Sequence, residues 1–174
     1  MLDKFGSDPQ QSHAIPGHYY FDPDIYSREF PAIFFKTWLY AGHVSTLANP
    51  GDYMVRDVGD QSVIILRDRG DTLRGYHNVC QHRAHRLLEG EGRIKTLLSC
   101  PYHAWAYDFS GELIRIPGED VGVGIDKSGI CLSTVRIEEF LGFIFFNLDT
   151  NATPLASQLT GMNDEFRSFC AEPE

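Results

Sequence analysis

The sequence predicts a mainly β domain of short antiparallel strands, framed by short helices near its N- and C-terminal ends. Three observations carry this. Apolar stretches between residues 51 and 148 are short and separated by Gly-Asp, Arg-Gly-Asp and Phe-Ser-Gly turn signals. A helix-start signal, Asp22-Pro23-Asp24, stands ahead of them. The chain has 174 residues, 43% of them hydrophobic and 13% aromatic, enough to bury a core.

Met1 to Gly17 lacks any period and reads as a loose arm. Asp22 is placed to cap a helix, Pro23 suits the first helical position and Asp24 favours the N-terminal end of the dipole. Ile25, Glu29, Phe30, Ile33 and Phe34 follow at roughly helical spacing. Pro31 interrupts them, which predicts a kink or two short helical pieces. Trp38 to His43 reads as the first strand. Tyr53 to Val58 and Ser62 to Arg67 flank Gly59-Asp60, a hairpin signal. Arg67 to Asp71 turns again, and Thr72 to Tyr76 is a strand running into Cys80.

Thr96 to Ser99 leads into Cys100. Trp105 to Asp108 and Glu112 to Ile116 flank the Phe109-Ser110-Gly111 turn. Ile116 to Gly129 reads as a loop. Thr134 to Glu138 and Gly142 to Leu148 are further strands, and Pro154 to Phe169 has weak helical periodicity.

A formal net charge of −9 argues against nucleic-acid binding, which wants a basic face. No apolar run approaches the roughly 18 residues needed to span a bilayer. Met1 to Gln10 has no signal-peptide core, so a cytoplasmic location is expected. Cys131 and Cys170 lack metal-like neighbours. Buried free thiols are the expectation for both, with a disulfide as the alternative.

The chemistry is concentrated in one pattern. Cys80-x-His82 is followed by seventeen residues and then Cys100-x-x-His103. Two thiolates and two imidazoles arrive in two loops, each at a strand–turn–strand junction. Such a set suits a [2Fe-2S] cluster in which cysteines hold one iron and histidines the other. It also suits a tetrahedral zinc. Zinc sites of mixed ligands usually place two cysteines in one knuckle and two histidines on one helix. Here each loop mixes one of each, which favours the cluster.

Cys80-Gln81-His82-Arg83-Ala84 and Cys100-Pro101-Tyr102-His103-Ala104-Trp105 resemble the two loops of Rieske proteins. Within that group they resemble alpha subunits of Rieske non-haem iron oxygenases, the aromatic ring-hydroxylating oxygenases. His18-Tyr19-Tyr20, Trp38 and Asn49-Pro50-Gly51-Asp52-Tyr53 resemble the segment before the cluster in such subunits. Val135 to Glu139 and Gly142 to Asn147 resemble the segment that closes their Rieske domain.

The resemblance implies a Rieske-type domain with two cluster-binding hairpin loops. It divides the chain into an N-terminal arm and helix at 1–40, the [2Fe-2S] domain at 41–150, and the start of a linker to a catalytic domain at 151–174. Cys80 and Cys100 are the expected thiolate ligands of one iron, His82 and His103 the imidazole ligands of the other. Their second ring nitrogens are expected near the surface as the electron exit. His85, His43 and His77 are not expected to bind metal. Trp105 and Tyr107 read either as shields against water or as ordinary core aromatics. Arg83 and Arg86 read as solvated side chains, with docking or stabilisation of the reduced cluster as the alternative.

Respiratory Rieske proteins carry an extra cysteine in each loop and a serine that bonds a bridging sulfide. This chain has neither feature. Fewer hydrogen bonds to sulfur imply a potential in the lower part of the Rieske range, nearer about −150 mV than +300 mV.

In the resembled subunits a mononuclear ferrous ion, held by two histidines and a carboxylate, activates dioxygen. No histidine follows His103, so these 174 residues do not supply that site, and a fragment of a longer subunit is expected. The implied function is electron relay from an NAD(P)H-dependent reductase or ferredoxin to a mononuclear iron, within an alpha-subunit trimer. The implied reaction is oxygen insertion into an aromatic or quaternary-amine substrate. Asn78 to Leu88 and Asn49 to Tyr53 lean towards the amine group. A free-standing Rieske electron carrier and a zinc-stabilised binding module are the alternatives.

Overall fold

The computed structural model describes residues 8, 10, 14–118 and 124–170. Part of the expected 116–129 loop lies outside the described residues. After a single turn at Gly17–Tyr20, helix α1 spans Pro23–Glu29. The Asp22 carboxylate accepts the Asp24 amide at 2.9 Å and Pro23 opens the helix, as the capping signal predicts. Pro31 then forces the expected break, and the chain widens into a π-type turn at Phe30–Phe34.

The strands are β1 Leu39–His43, β2 Asp52–Val58, β3 Gln61–Arg67, β4 Leu73–His77, β5 Glu91–Arg93, β6 Leu98–Ser99, β7 Ala106–Tyr107, β8 Leu113–Arg115, β9 Thr134–Phe140 and β10 Phe143–Asn147. One antiparallel sheet has the order β1-β10-β9-β4-β3-β2-β5, and a small sheet has the order β6-β7-β8. The fold is mainly β, as predicted. The predicted strands are recovered with shifted ends. Strand β5 was not predicted, because Glu91-Gly92-Arg93 is exposed and carries no apolar alternation.

The two-residue turn between β2 and β3 needs glycine twice over. Gly59 has φ 59°, and a Cβ there would stand 2.6 Å from the Phe30 ring. The N-terminal helical segment therefore docks on this turn.

Strand β3 lies between two apolar layers. Ile64 and Leu66 face the cluster that contains Cys80 and Cys100, while Val63 and Ile65 face a second cluster with Met54 and Ile144. Burial of both faces explains the unbroken apolar run from Val63 to Leu66. It also makes β3 a rigid base for the loops described below.

Asp52 on β2 and Arg93 on β5 tie the sheet edge. Asp52 is 8% exposed and accepts the Asn49 amide at 2.8 Å and Arg93 Nε at 2.5 Å. The Arg93 hydrogen bond, with support from Asn49, overcomes burial and brings the Asp52 pKa down from 3.8 to about 2. A carboxylate with a depressed folded pKa stabilises the fold above its unfolded value. That contribution is lost as pH falls from 3.8 through about 2. Chemical denaturation across this range is expected to show stability falling with pH in the parent chain, with a flatter profile in Asp52→Asn. Equal slopes in the two proteins would refute the assignment.

The chain leaves β10 along a fastened path. Trp38 Nε1 donates to the Thr153 carbonyl at 2.9 Å, and the Glu138 carboxylate caps helix α2, Leu155–Gln158, through the Leu155 amide at 2.7 Å. The predicted C-terminal helical stretch is split in two. Gly161, with φ 87°, precedes helix α3 at Met162–Cys170. Cys131 is exposed and free, contrary to the burial expected for it. The Cys170 side chain lies outside those described. Among the described residues, no helix is long and apolar enough to cross a membrane.

Candidate metal centre

The four predicted ligands lie on two loops of the same backbone shape. The first leaves β4 and the second joins β6 to β7. Cys80 N–H donates to the His85 carbonyl at 2.8 Å, and Cys100 N–H to the Trp105 carbonyl at 2.8 Å. Each cysteine carbonyl in turn accepts the amide of the fourth residue on, Ala84 or Ala104, at 2.9 Å. Both alanines sit in the left-handed region with φ 55°. A non-glycine residue in that region is strained, and strain of this kind collects at functional sites. The loops differ in where the histidine departs: two residues after Cys80, three after Cys100.

The structure brings the two loops together. Cys80 and Cys100 are 2% and 3% exposed. His82 and His103 are half-buried, with ring centroids 4.7 Å apart at 65°. Among the described residues, no three His, Cys, Asp or Glu side chains gather around a single ion. A dinuclear cluster asks for two donors at each iron, which matches two cysteines and two histidines presented as pairs.

His103 supplies the test of fit. Its Nδ1 is buried and has no hydrogen-bond partner. A buried nitrogen without a partner is unfavourable, and a bond to iron would supply that partner. Burial, helped by the nearby His82, Arg83 and His85 charges, lowers the His103 pKa and favours the neutral, metal-binding form. The residues present therefore fit a metal-bound group.

Three supports were not visible in the sequence. Asn78 is 2% exposed and closes the first loop. Its Oδ1 accepts the Leu87 and Leu88 amides at 2.9 and 3.0 Å; its Nδ2 donates to the Leu88 carbonyl at 2.8 Å and Ser62 Oγ at 3.1 Å. Arg86, read above as solvated or docking, ties the same loop to β2 through Asp57 at 2.5 Å and to Ser62 Oγ at 2.9 Å. Ser62 and then Arg86 hold the Asp57 carboxyl below its ordinary pKa.

Tyr107 is the third support. Its hydroxyl accepts the Gln81 amide at 2.9 Å and lies 3.3 Å from Cys80 Sγ. Burial, followed by the Cys80 contact, raises the Tyr107 pKa, so the phenol keeps its proton. Against a thiolate, the phenol is the donor. A thiolate at Cys80 would therefore have a side-chain donor even without the respiratory serine.

His85, His43 and His77 have other ring surroundings. His85 is exposed and meets Tyr102 edge-on at 5.4 Å. His43 Nδ1 pairs with Ser45 Oγ at 2.9 Å, and burial lowers the His77 pKa. Arg83 is exposed and makes no ion pair among the described residues.

Residues 37–134 match the Rieske [2Fe-2S] domain family. The chain is 38% identical over 172 residues to the carnitine monooxygenase oxygenase subunit of Escherichia coli (strain K12), covering 99% of this chain and 46% of that protein. It is 32% identical over 151 residues to the benzene 1,2-dioxygenase subunit alpha of Pseudomonas putida, covering 86% and 34% respectively. A solved quaternary ammonium Rieske monooxygenase, studied for carnitine oxidation and inter-subunit electron transfer, superposes with a TM-score of 0.83 at 36% identity. That match covers 90% of this chain and 43% of the other. The chain spans about half the length, or less, of these relatives. Paired Cys-His loops on a mainly β frame, matched over residues 37–134, place this chain in the Rieske [2Fe-2S] domain family, aligned with the Rieske part of oxygenase alpha subunits.

Proposed function

We propose that this domain relays single electrons within a Rieske oxygenase. The carrying observation is the orphaned, buried His103 Nδ1 beside a second half-buried imidazole and two buried thiols. When bound, the [2Fe-2S] cluster supplies reversible one-electron chemistry. Cys80 and Cys100 hold its inner iron as thiolates, and His82 and His103 hold its outer iron as neutral imidazoles. Neutral nitrogen ligands keep the potential above that of an all-cysteine cluster. Cys80 and Cys100 sit in the core, while the half-buried histidines form the side of the site open to a partner.

The donor in this reading is a reductase or ferredoxin fed by NAD(P)H in the cytoplasm. The acceptor is a mononuclear Fe(II) held outside these 174 residues. In an alpha-subunit trimer that iron belongs to a neighbouring subunit. Inter-subunit electron transfer, described for the solved quaternary ammonium monooxygenase, supports this arrangement. The substrate class is a quaternary amine. Support comes from 38% identity to the carnitine subunit against 32% to the benzene subunit. The segments 1–40, 41–150 and 151–174 serve as arm, electron-transfer domain and connection to the catalytic part.

Anaerobic purification followed by iron and sulfide assay tests the reading. A red-brown protein with about two irons and two acid-labile sulfides per chain is expected. A colourless protein carrying one zinc would overturn it.

Tyr107→Phe is expected to lower the midpoint potential, because a hydrogen bond to a ligand sulfur stabilises the extra negative charge of the reduced cluster. Spectroelectrochemical titration reads this directly. An unchanged midpoint would show that the Tyr107 hydroxyl does not donate to Cys80.

A further inference from the structure

Trp105 is joined to both loops. Its carbonyl accepts the Cys100 amide at 2.8 Å within the second loop. Its indole lies parallel to His82 of the first loop, with ring centroids 4.8 Å apart and planes 9° from parallel. Trp105 is 8% exposed, so surrounding packing holds the ring in place. His85 occupies the equivalent backbone position in the first loop, yet its exposed ring meets Tyr102 rather than a ligand. His103 is instead flanked by Tyr102 of its own loop, at 3.7 Å and 33°, and Tyr102 is 57% exposed. A buried ring from the opposite loop braces one histidine; an exposed neighbour flanks the other.

We propose that Trp105 is a positioning residue that fixes the plane of the His82 imidazole across the two loops. The proposal rests on the ligand assignment above. An imidazole bound through one nitrogen still has rotation about the metal–nitrogen axis, and outer groups set that rotation. Rotation about that axis leaves the σ bond unchanged but alters the π overlap of the ring with iron orbitals and the ring's orientation, and so would alter the hyperfine coupling of that nitrogen in the reduced cluster. The parallel indole acts as a wall to rotation and keeps water from one face of the ring. Its attachment to the second loop makes the wall independent of movement in the first.

Pulsed EPR of the reduced full chain resolves the hyperfine couplings of ligand nitrogens. Two distinct nitrogen couplings are expected in the parent protein. Trp105→Leu should shift one coupling and leave the other, and Trp105→Phe should shift the same one by less. Movement of neither coupling, or of both together, overturns the proposal. If Trp105→Leu fails to assemble a cluster, Trp105→Phe decides by the same criterion. Absence of histidine nitrogen couplings from the parent protein would instead reject the ligand assignment.

Discussion

His82→Ala and His103→Ala are each expected to abolish the Rieske-type visible and EPR spectrum, while His85→Ala is expected to leave both unchanged. A ligand in this assignment supplies one of the two protein bonds to an iron, so its loss leaves that iron with a single protein donor. His85 is the control because it is exposed, three residues beyond His82, and its ring is turned to Tyr102. Loss of the spectrum in His85→Ala would show that the first loop is assigned wrongly. The His103 variant carries a second effect. Removing the imidazole removes the buried nitrogen that has no partner in the protein. The metal-free His103→Ala chain is therefore expected to lose little stability even as cluster binding is lost.

Asn78→Ala costs about 3 kcal/mol or more of folding stability and lowers cluster content, as chemical denaturation and iron assay will read. The side chain makes four hydrogen bonds at 2% exposure. Each neutral bond contributes about 1 kcal/mol, and buried partners left unpaired cost more. The Leu87 and Leu88 amides and the Leu88 carbonyl lose their Asn78 partners. The loop that presents Cys80 and His82 then loses its inner closure. A variant with native stability and full iron content would show that Arg86 and the Cys80–His85 backbone bond suffice to hold the loop.

Much of the candidate centre was legible in the sequence because ligand spacing is a local property. Cys80-x-His82 and Cys100-x-x-His103 place each pair on one turn, whatever the rest of the chain does. Asp22-Pro23 announced α1 because a cap acts within two residues. Gly59 announced the β2–β3 turn because only glycine tolerates both its φ and the Phe30 ring. Strand β5 was hidden because its three residues are exposed and it is held by backbone pairing to β2 and by the Asp52–Arg93 bond. Cys131 was expected buried from residue type alone, and its exposure is set by the loop around it.

Residue types and short spacings determined the mainly β class and marked out the four candidate donors. Contacts between distant segments settled the surroundings of those donors. Tyr107 reaches Cys80 from 27 residues away, Arg86 reaches Asp57 from 29, and Trp105 crosses from one loop to the ligand of the other. No local period encodes such meetings. The Tyr107 and Trp105 contacts follow from packing β6-β7-β8 against the large sheet over one shared core, and that packing determines which hydroxyl faces Cys80 and which ring faces His82.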